Sequence, residues 1–356
     1  MKNLNIIFDA ERMKYPHTGL YHFCKQLGQA LLKKQVSPFE LTFYTNNPDN
    51  EDFGTDVRYF RQKSIQKFWM PRFANFNLWH SSFQLSDYFP RNSRIKVLST
   101  IHDLNFLKEG KSVEKEKKYL KKLQANLDKA DIVVAISHYV KKDLENYCDL
   151  KRKPLHVIYN GSNIDQKYLK TIDKQSRRDK ERPFIYSIGT VNRKKNFHIL
   201  LYLLIENDLE LKISGIIAEP SYHHYILDLA AELGVAERVH LTGPVSEDEK
   251  YQYLRDCALF VFPSIAEGFG LPVIEAMSFG KKVLLSKYTC LPEIGGPEAF
   301  FLDSTDPDYM IEFGKTTLLD IINGEDRANE IKRWAGQFSW DKAASEYWEL
   351  YKELLK

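Results

Sequence analysis

The 356-residue chain has only four cysteines, Cys24, Cys148, Cys257 and Cys290. None stands in a C-x-x-C pair and none has metal-ligand spacing to a histidine. That excludes a disulfide framework and zinc modules, and reads as buried, reduced thiols of a cytosolic protein. Long apolar runs are also missing. No stretch approaches the roughly 20 residues a membrane helix needs. The opening MKNLNIIFDAER reaches Asp9 and Glu11 too soon for a signal peptide. Any membrane contact is therefore expected to be peripheral. Net charge is small, +3 from 51 basic and 48 acidic residues, and no recognised nucleic-acid module accompanies it. The Asp-x-Asp spacing that can hold a divalent metal is nearly lacking too. The single such string, Asp306-Pro307-Asp308, reads as a helix N-cap followed by proline in the first turn. No metal and no cofactor are expected.

What is present is an alternation of short β-branched or aromatic runs with helical patterns. In the first half the strands are expected at 4–9, 40–45, 57–60, 95–101, 131–137 and 155–160, with helices at 21–34, 113–129 and 138–147. Phe23, Leu27, Ala30 and Leu31 carry the helical spacing of the first helix. The polar, charged stretch 166–183 breaks the pattern and reads as a linker ending at Pro183. The alternation then restarts. Strands are expected at 184–189, 211–214, 239–243, 258–264, 282–286 and 299–302. Helices are expected at 196–206, 222–234, 246–256 and 271–280, with two more near the end. Strand and helix in alternation predict parallel sheets covered on both faces, and the length suits two such α/β domains. In doubly wound sheets, ligands bind outside the carboxyl ends of the strands.

Two segments carry chemistry. EGFGLPVIE, residues 267–275, follows an apolar strand and opens a helix. Its backbone N–H groups at Phe269, Gly270 and Leu271 are placed at a helix N-terminus, a ready site for anions and hydroxyls. Glu267 precedes the turn and Glu275 lies about one turn into the helix, so one carboxylate can reach a sugar hydroxyl and the other a ribose diol. The second segment, SIGTVNRKKNFHILL at 187–201, sets Arg193, Lys194 and Lys195 just before a helix. There they can meet phosphates, and fixed cations with helix N-termini stabilise negative charge without a metal.

These blocks resemble the retaining glycosyltransferases of family 4, the first as the family's paired-glutamate motif and the second as its diphosphate-binding segment. FVFPS before the motif, AMSFGKKVLLSKYTCLPEIGG after it, and the terminal FSWDKAASEYWELYKELL continue the resemblance. It implies the GT-B fold: two Rossmann-like, doubly wound domains facing across a cleft. The acceptor domain is expected at 1–165, the donor domain at 184–338, and a terminal helix, 339–356, crosses back to the first domain. Lys195 matches the family's lysine. The family often has Arg at the position of Thr190, so Arg193, with Lys194 in reserve, is assigned the second charge. HTGLY at 17–21 resembles the family's Gly-rich loop near the diphosphate but keeps one glycine, Gly19. His102, in STIHDLNFL just past a strand, matches a histidine that faces the donor sugar. The resemblance further implies retention of anomeric configuration. Glu267 would position the sugar and stabilise developing positive charge, while Glu275 holds the ribose and His102 orients the sugar. Ser137 and Asn160-Gly161 also match family positions, but read first as a helix N-cap and a turn.

Aromatics interleave with cations over 58–79, and a second basic run covers 108–122. The first stretch is expected either to dock on an anionic membrane surface near the acceptor site or to be core aromatics with solvated cations. The expected reaction moves a hexose, mannose from GDP-mannose first and a UDP-linked hexose second. The acceptor is a hydroxyl of a glycan or lipid-linked molecule in bacterial surface-polysaccharide assembly. A nucleotide-sugar epimerase, a pyridoxal-dependent phosphorylase and an inactive sugar-nucleotide-binding partner subunit are the alternative readings.

Overall fold

The computed structural model describes residues 3–16, 18–164 and 182–356. His17 and residues 166–181 of the expected linker lie outside the described residues. The chain divides into two compact units, Met1–Asn163 with Phe338–Lys356, and Ile164–Gln337.

The first unit is built on β1 (Leu4–Asp9), α1 (Gly19–Lys33), β2 (Phe39–Thr45), β3 (Arg58–Arg61), β4 (Leu78–Ser81) and β5 (Lys96–Ile101). It continues through α2 (Val113–Leu127), β6 (Ile132–Ala135), α3 (His138–Tyr147) and β7 (Leu155–Val157). The strands form one parallel sheet in the order β3-β2-β1-β4-β5-β6-β7. Strand β4 is absent from the sequence expectation. Its four residues, LWHS, are too few to show a period and overlap the end of the basic-aromatic stretch, yet all four are buried at the sheet centre. Trp79 is therefore core. Ser137 caps α3, its side chain accepting from the Val140 N–H at 3.2 Å. Asn160-Gly161 does not form the expected turn. Gly161 is held for close approach, since a β-carbon there would lie 2.2 Å from the backbone nitrogen of Trp340.

The second unit begins with β8 (Phe184–Ile188), β9 (Glu210–Ser214), α4 (Pro220–Glu232), β10 (Val239–Gly243), α5 (Glu247–Asp256) and β11 (Leu259–Phe262). It ends with α6 (Leu271–Ser278), β12 (Val283–Ser286), α7 (Leu291–Gly295), β13 (Phe300–Leu302), α8 (Pro307–Lys315), α9 (Thr317–Asn323) and α10 (Ala328–Ala335). Its sheet is parallel in the order β10-β9-β8-β11-β12-β13. The expected helix at 196–206 is a 3-10 helix over Phe197–Leu204, six of whose eight side chains are buried. It starts from Asn196 in the left-handed region and has no side-chain cap, and its buried side chains join the core of the second unit. Asp306 caps α8 by accepting from the Asp308 N–H at 3.0 Å, as its sequence predicts.

The last helix, α11 (Trp340–Leu354), packs on α1 in the first unit. Its tyrosines complete a buried polar network. The Tyr351 hydroxyl meets His80 Nδ1 at 2.6 Å, His80 Nε2 meets Thr100 at 2.8 Å, and Thr100 meets Tyr347 at 2.9 Å. Every polar atom in that chain has a partner, which is the condition under which buried hydroxyls and imidazoles specify a packing instead of weakening it. The cysteines are all free; Cys24, Cys257 and Cys290 are buried and Cys148 is half-buried.

Candidate active site

In both sheets the strand order reverses at one place, between β1 and β4 and between β8 and β11. The reversal sends neighbouring loops in opposite directions and opens a crevice at the strands' carboxyl ends. In the second unit the two motifs found in the sequence leave β8 and β11, the strands flanking that crevice. Residues 72 apart in sequence meet there, with Lys195 Nζ 2.5 Å from Glu267 Oε1. Both side chains are largely buried, at 12% and 14% exposure. The Lys195 ammonium also sits 4.6 Å from the Phe262 ring centroid, over a face that attracts cations. The loops are tied by backbone as well, the Ile265 N–H donating to the Lys194 carbonyl at 2.9 Å.

The turn after Glu267 depends on Gly270, whose φ of +91° places it in a region closed to most side chains. Gly270 is the N-cap of α6, and Pro272 falls in the first turn, where a missing N–H costs nothing. The N–H groups of Gly270 and Leu271 have no acceptor within the helix by its geometry. Phe269 is buried under the turn. Glu275, in α6, is 4% exposed. Its carboxylate lies 3.5 Å from Lys250 Nζ, which also meets Glu247 at 3.1 Å. Burial works against the Lys250 ammonium, but Glu275 and Glu247 outweigh it and hold the group above the usual lysine range. Arg193 is placed differently. Its guanidinium is largely exposed and pairs with Glu219 at 3.1 Å, stacked near the rings of Tyr222 and Tyr225. The structure thus joins Lys195 to Glu267 and Glu275 to Lys250, and gives Arg193 to Glu219.

Three supporting residues went unassigned in the sequence. Lys250 lies 25 residues from Glu275, with nothing local to join them. Thr289 Oγ1 accepts the Glu267 N–H at 3.1 Å, and the Cys290 thiol donates to the Glu267 carbonyl at 3.3 Å. The last two stand in YTCLPE, inside a block that carried the resemblance, so the signal was present without a role attached.

Gly19 and His102 belong to the first unit. Gly19 opens α1, capped by Thr18, with open space where a β-carbon would stand. His102 follows β5 and is 7% exposed. Its Nε2 lies 2.8 Å from the Ser82 carbonyl, which fixes that nitrogen as the proton carrier and leaves Nδ1 as the acceptor. Burial pushes its pKa down to about 4, so the ring is neutral near pH 7. Asp9, at the end of β1, is buried beside Glu11 and accepts from Ser86 at 3.3 Å. Burial, with the Glu11 charge, pushes it up to about 7. Among the described residues, no three His, Cys, Asp or Glu side chains group as a metal site, and no helix is long and apolar enough to cross a membrane.

Residues 170–331 match the family model described as glycosyl transferases group 1, and residues 23–166 match that described as glycosyltransferase family 4. The chain is 31% identical over 241 residues to the serotype-specific mannosyltransferase WbdA of Escherichia coli, covering 64% of this chain but 29% of that one. It therefore spans less than a third of that relative's length. It is 25% identical to the O-antigen chain mannosyltransferase B of Escherichia coli, over 99% of this chain and 100% of that one. The crystal structure of Anabaena HepE in complex with UDP and glucose superposes with a TM-score of 0.76 at 15% identity, covering 99% and 100% of the two chains. That likeness concerns the fold. With both halves matched and both parallel sheets in place, the chain belongs to the family 4 glycosyltransferases and has their two-domain GT-B fold.

Proposed function

We propose that this protein transfers a hexose from a nucleotide-sugar to a hydroxyl of a glycan or lipid-linked acceptor, with retention and without a metal, in the assembly of a bacterial surface polysaccharide. The observation that carries the reading is the Lys195–Glu267 pair at the switch point of the second sheet. A buried pair is only weakly stabilising, because desolvation offsets much of its attraction. A diphosphate entering beside the α6 N-terminus therefore competes well for the ammonium. Lys195 then neutralises the leaving group, and Glu267 is released toward the sugar, where positive charge develops as the bond to the diphosphate breaks. Glu275, held by Lys250, accepts hydrogen bonds from the ribose hydroxyls. The N–H groups of Phe269, Gly270 and Leu271 face the sugar and phosphates, Arg193 leaves Glu219 for the diphosphate, and Gly19 lets it approach the α1 N-terminus. His102 orients the sugar through its neutral ring.

Mannose from GDP-mannose is the proposed donor, supported by the two Escherichia coli mannosyltransferases that the chain resembles. A UDP-hexose is the second choice. The acceptor is proposed to lie on a lipid at an anionic membrane face. Thermal unfolding with GDP, UDP, ADP and their sugar conjugates, with and without EDTA, tests the donor. A ligand at about 100 times its Kd stabilises by about 2.7 kcal/mol, or several degrees for domains of this size. A shift with guanine nucleotides that EDTA leaves unchanged is expected. A shift only with uracil nucleotides replaces the donor, and no shift with any nucleotide removes the reading.

A further inference from the structure

The basic-aromatic stretch separates into two populations in the structure. Met70, Phe73 and Trp79 are buried, whereas Ile65, Phe68 and Trp69 are 62%, 77% and 68% exposed, the most exposed large apolar side chains among the described residues. Their exposure is built in. Residues Ser64–Lys67 form a 3-10 turn whose inner face is pinned by Gln66, itself buried. Gln66 Oε1 accepts from the Tyr44 hydroxyl and from the Lys63 N–H, both at 2.7 Å. Met70 and Phe73 anchor the exit. With Gln66, Met70 and Phe73 turned inward, Ile65 just before them and Phe68 and Trp69 between them are held outward on a fixed backbone.

The rim of this knob is cationic. Lys63, Lys67 and Arg72 come from the segment itself, and Arg91 donates to the Phe68 carbonyl. The second basic run of the sequence arrives at the same place. Asp87 lies 4.0 Å from Lys67 and 2.6 Å from Lys122 of α2, and Lys118 stands one helical turn before Lys122 on the same side. Six cations thus come from the knob and the elements beside it, with Asp87 pairing Lys67 and Lys122, and Glu114 stands one helical turn before Lys118. Apolar and aromatic tips inside a ring of Lys and Arg match a bilayer surface with anionic headgroups. Aromatics settle at the interface and cations pair with the headgroups.

We infer that the Ile65–Trp69 turn is a membrane-insertion element of the first unit. Its ring of Lys63, Lys67, Arg72, Arg91, Lys118 and Lys122 binds an anionic lipid surface. The inference rests on the proposed lipid-linked acceptor for its purpose, but its geometry stands apart from the donor site, and so does its test.

The full chain is co-sedimented with vesicles of phosphatidylcholine alone or mixed with phosphatidylglycerol, and its nucleotide-dependent thermal shift is recorded in parallel. Binding to the mixed vesicles only, weakening with salt, is expected. The F68S/W69S variant should bind at least about tenfold more weakly, and K63Q or K67Q roughly fivefold more weakly for each lost charge. All three should keep the wild-type melting temperature and nucleotide shift, because the substituted side chains are exposed. Absence of binding to anionic vesicles, or binding that F68S/W69S leaves unchanged, overturns the inference. So does a concentration-dependent dimer or oligonucleotide complex that F68S/W69S abolishes without any vesicle binding. A failed nucleotide shift with intact vesicle binding strikes the proposed reaction and leaves this element standing.

Discussion

The two sheets share one topology at their switch points and handle charge there in opposite ways. In the second unit the crevice is lined by ion pairs, Lys195 with Glu267 and Lys250 with Glu275. In the first unit the corresponding ends hold groups pressed toward neutrality, with His102 lowered to about 4 and Asp9 raised to about 7, both mainly by burial. The difference follows from what surrounds each group. Lys195 and Glu267 meet a full opposite charge at hydrogen-bond distance. His102 bonds a carbonyl, packs against Phe23 and feels the like charge of Arg12, and Asp9 has the like charge of Glu11 nearby. One end is suited to receive and redistribute formal charge, as departure of a diphosphate requires. The other sets a ring and a carboxyl pressed toward neutrality beside one buried carboxylate, Glu11, that Lys14 and Arg12 hold in place.

The largest expected effect breaks the charged end. Glu267→Gln keeps the shape of the side chain and removes its charge. Steady-state transfer assays should show kcat lower by at least about 10² while the donor KM stays nearly unchanged, because the charge is used where positive charge develops. A rise in KM alone would make Glu267 a ground-state binding group. The equivalent change at the neutral end, His102→Asn, should cost less, and equal losses would erase the contrast between the two ends.

A middle-sized effect concerns how the first unit is closed. Gly161→Ala drives a methyl into the backbone at Trp340, where α11 begins. Overpacking of this kind costs about 1–3 kcal/mol. Urea unfolding should show that loss, whereas an unchanged midpoint would mean the helix start yields freely.

The smallest effect is the pH dependence of the first unit. His80 and His102 have folded values of about 3 and about 4, below an unfolded value near 6.5. They contribute stability above that value, and it is lost as pH falls toward their folded values. Asp9 has the opposite sign: its folded value, about 7, exceeds the unfolded 3.8, so its contribution is present in acid and lost as pH rises toward 7. Two histidines outweigh one aspartate, so stability should climb between about pH 4 and 6.5, then flatten or dip. Asp9→Asn should remove the dip, and an unaltered profile would show that Asp9 is not the group titrating there.

The local parts of this site were readable in the sequence, and the long-range parts were not. EGFGLPVIE carries its own geometry, since glycine and proline determine the turn and the helix start, and Glu275 follows by helical spacing. The strand alternation gave the sheets for a similar reason, because fully buried parallel strands read as short apolar runs. Strand β4 escaped because four residues next to a basic stretch show no period. The Lys195–Glu267 and Lys250–Glu275 pairs span 72 and 25 residues, and only the strand order brings them together. Arg193 shows the reverse. Its neighbours in sequence suggested a phosphate ligand, while Glu219 and two tyrosine rings, all more than 20 residues away, hold it in the structure. The basic-aromatic stretch offered two readings, and burial divided it between them, Phe73 and Trp79 to the core and Phe68 and Trp69 to the surface.

Whether Lys195 receives the diphosphate at the switch point of the second sheet is decided by the thermal shift of Lys195→Met with the nucleoside diphosphate that stabilises the wild type. A folded variant whose shift is abolished or reduced to a small fraction of the wild-type value is expected. A shift of wild-type size in Lys195→Met would place the diphosphate on other groups and remove Lys195 from this role.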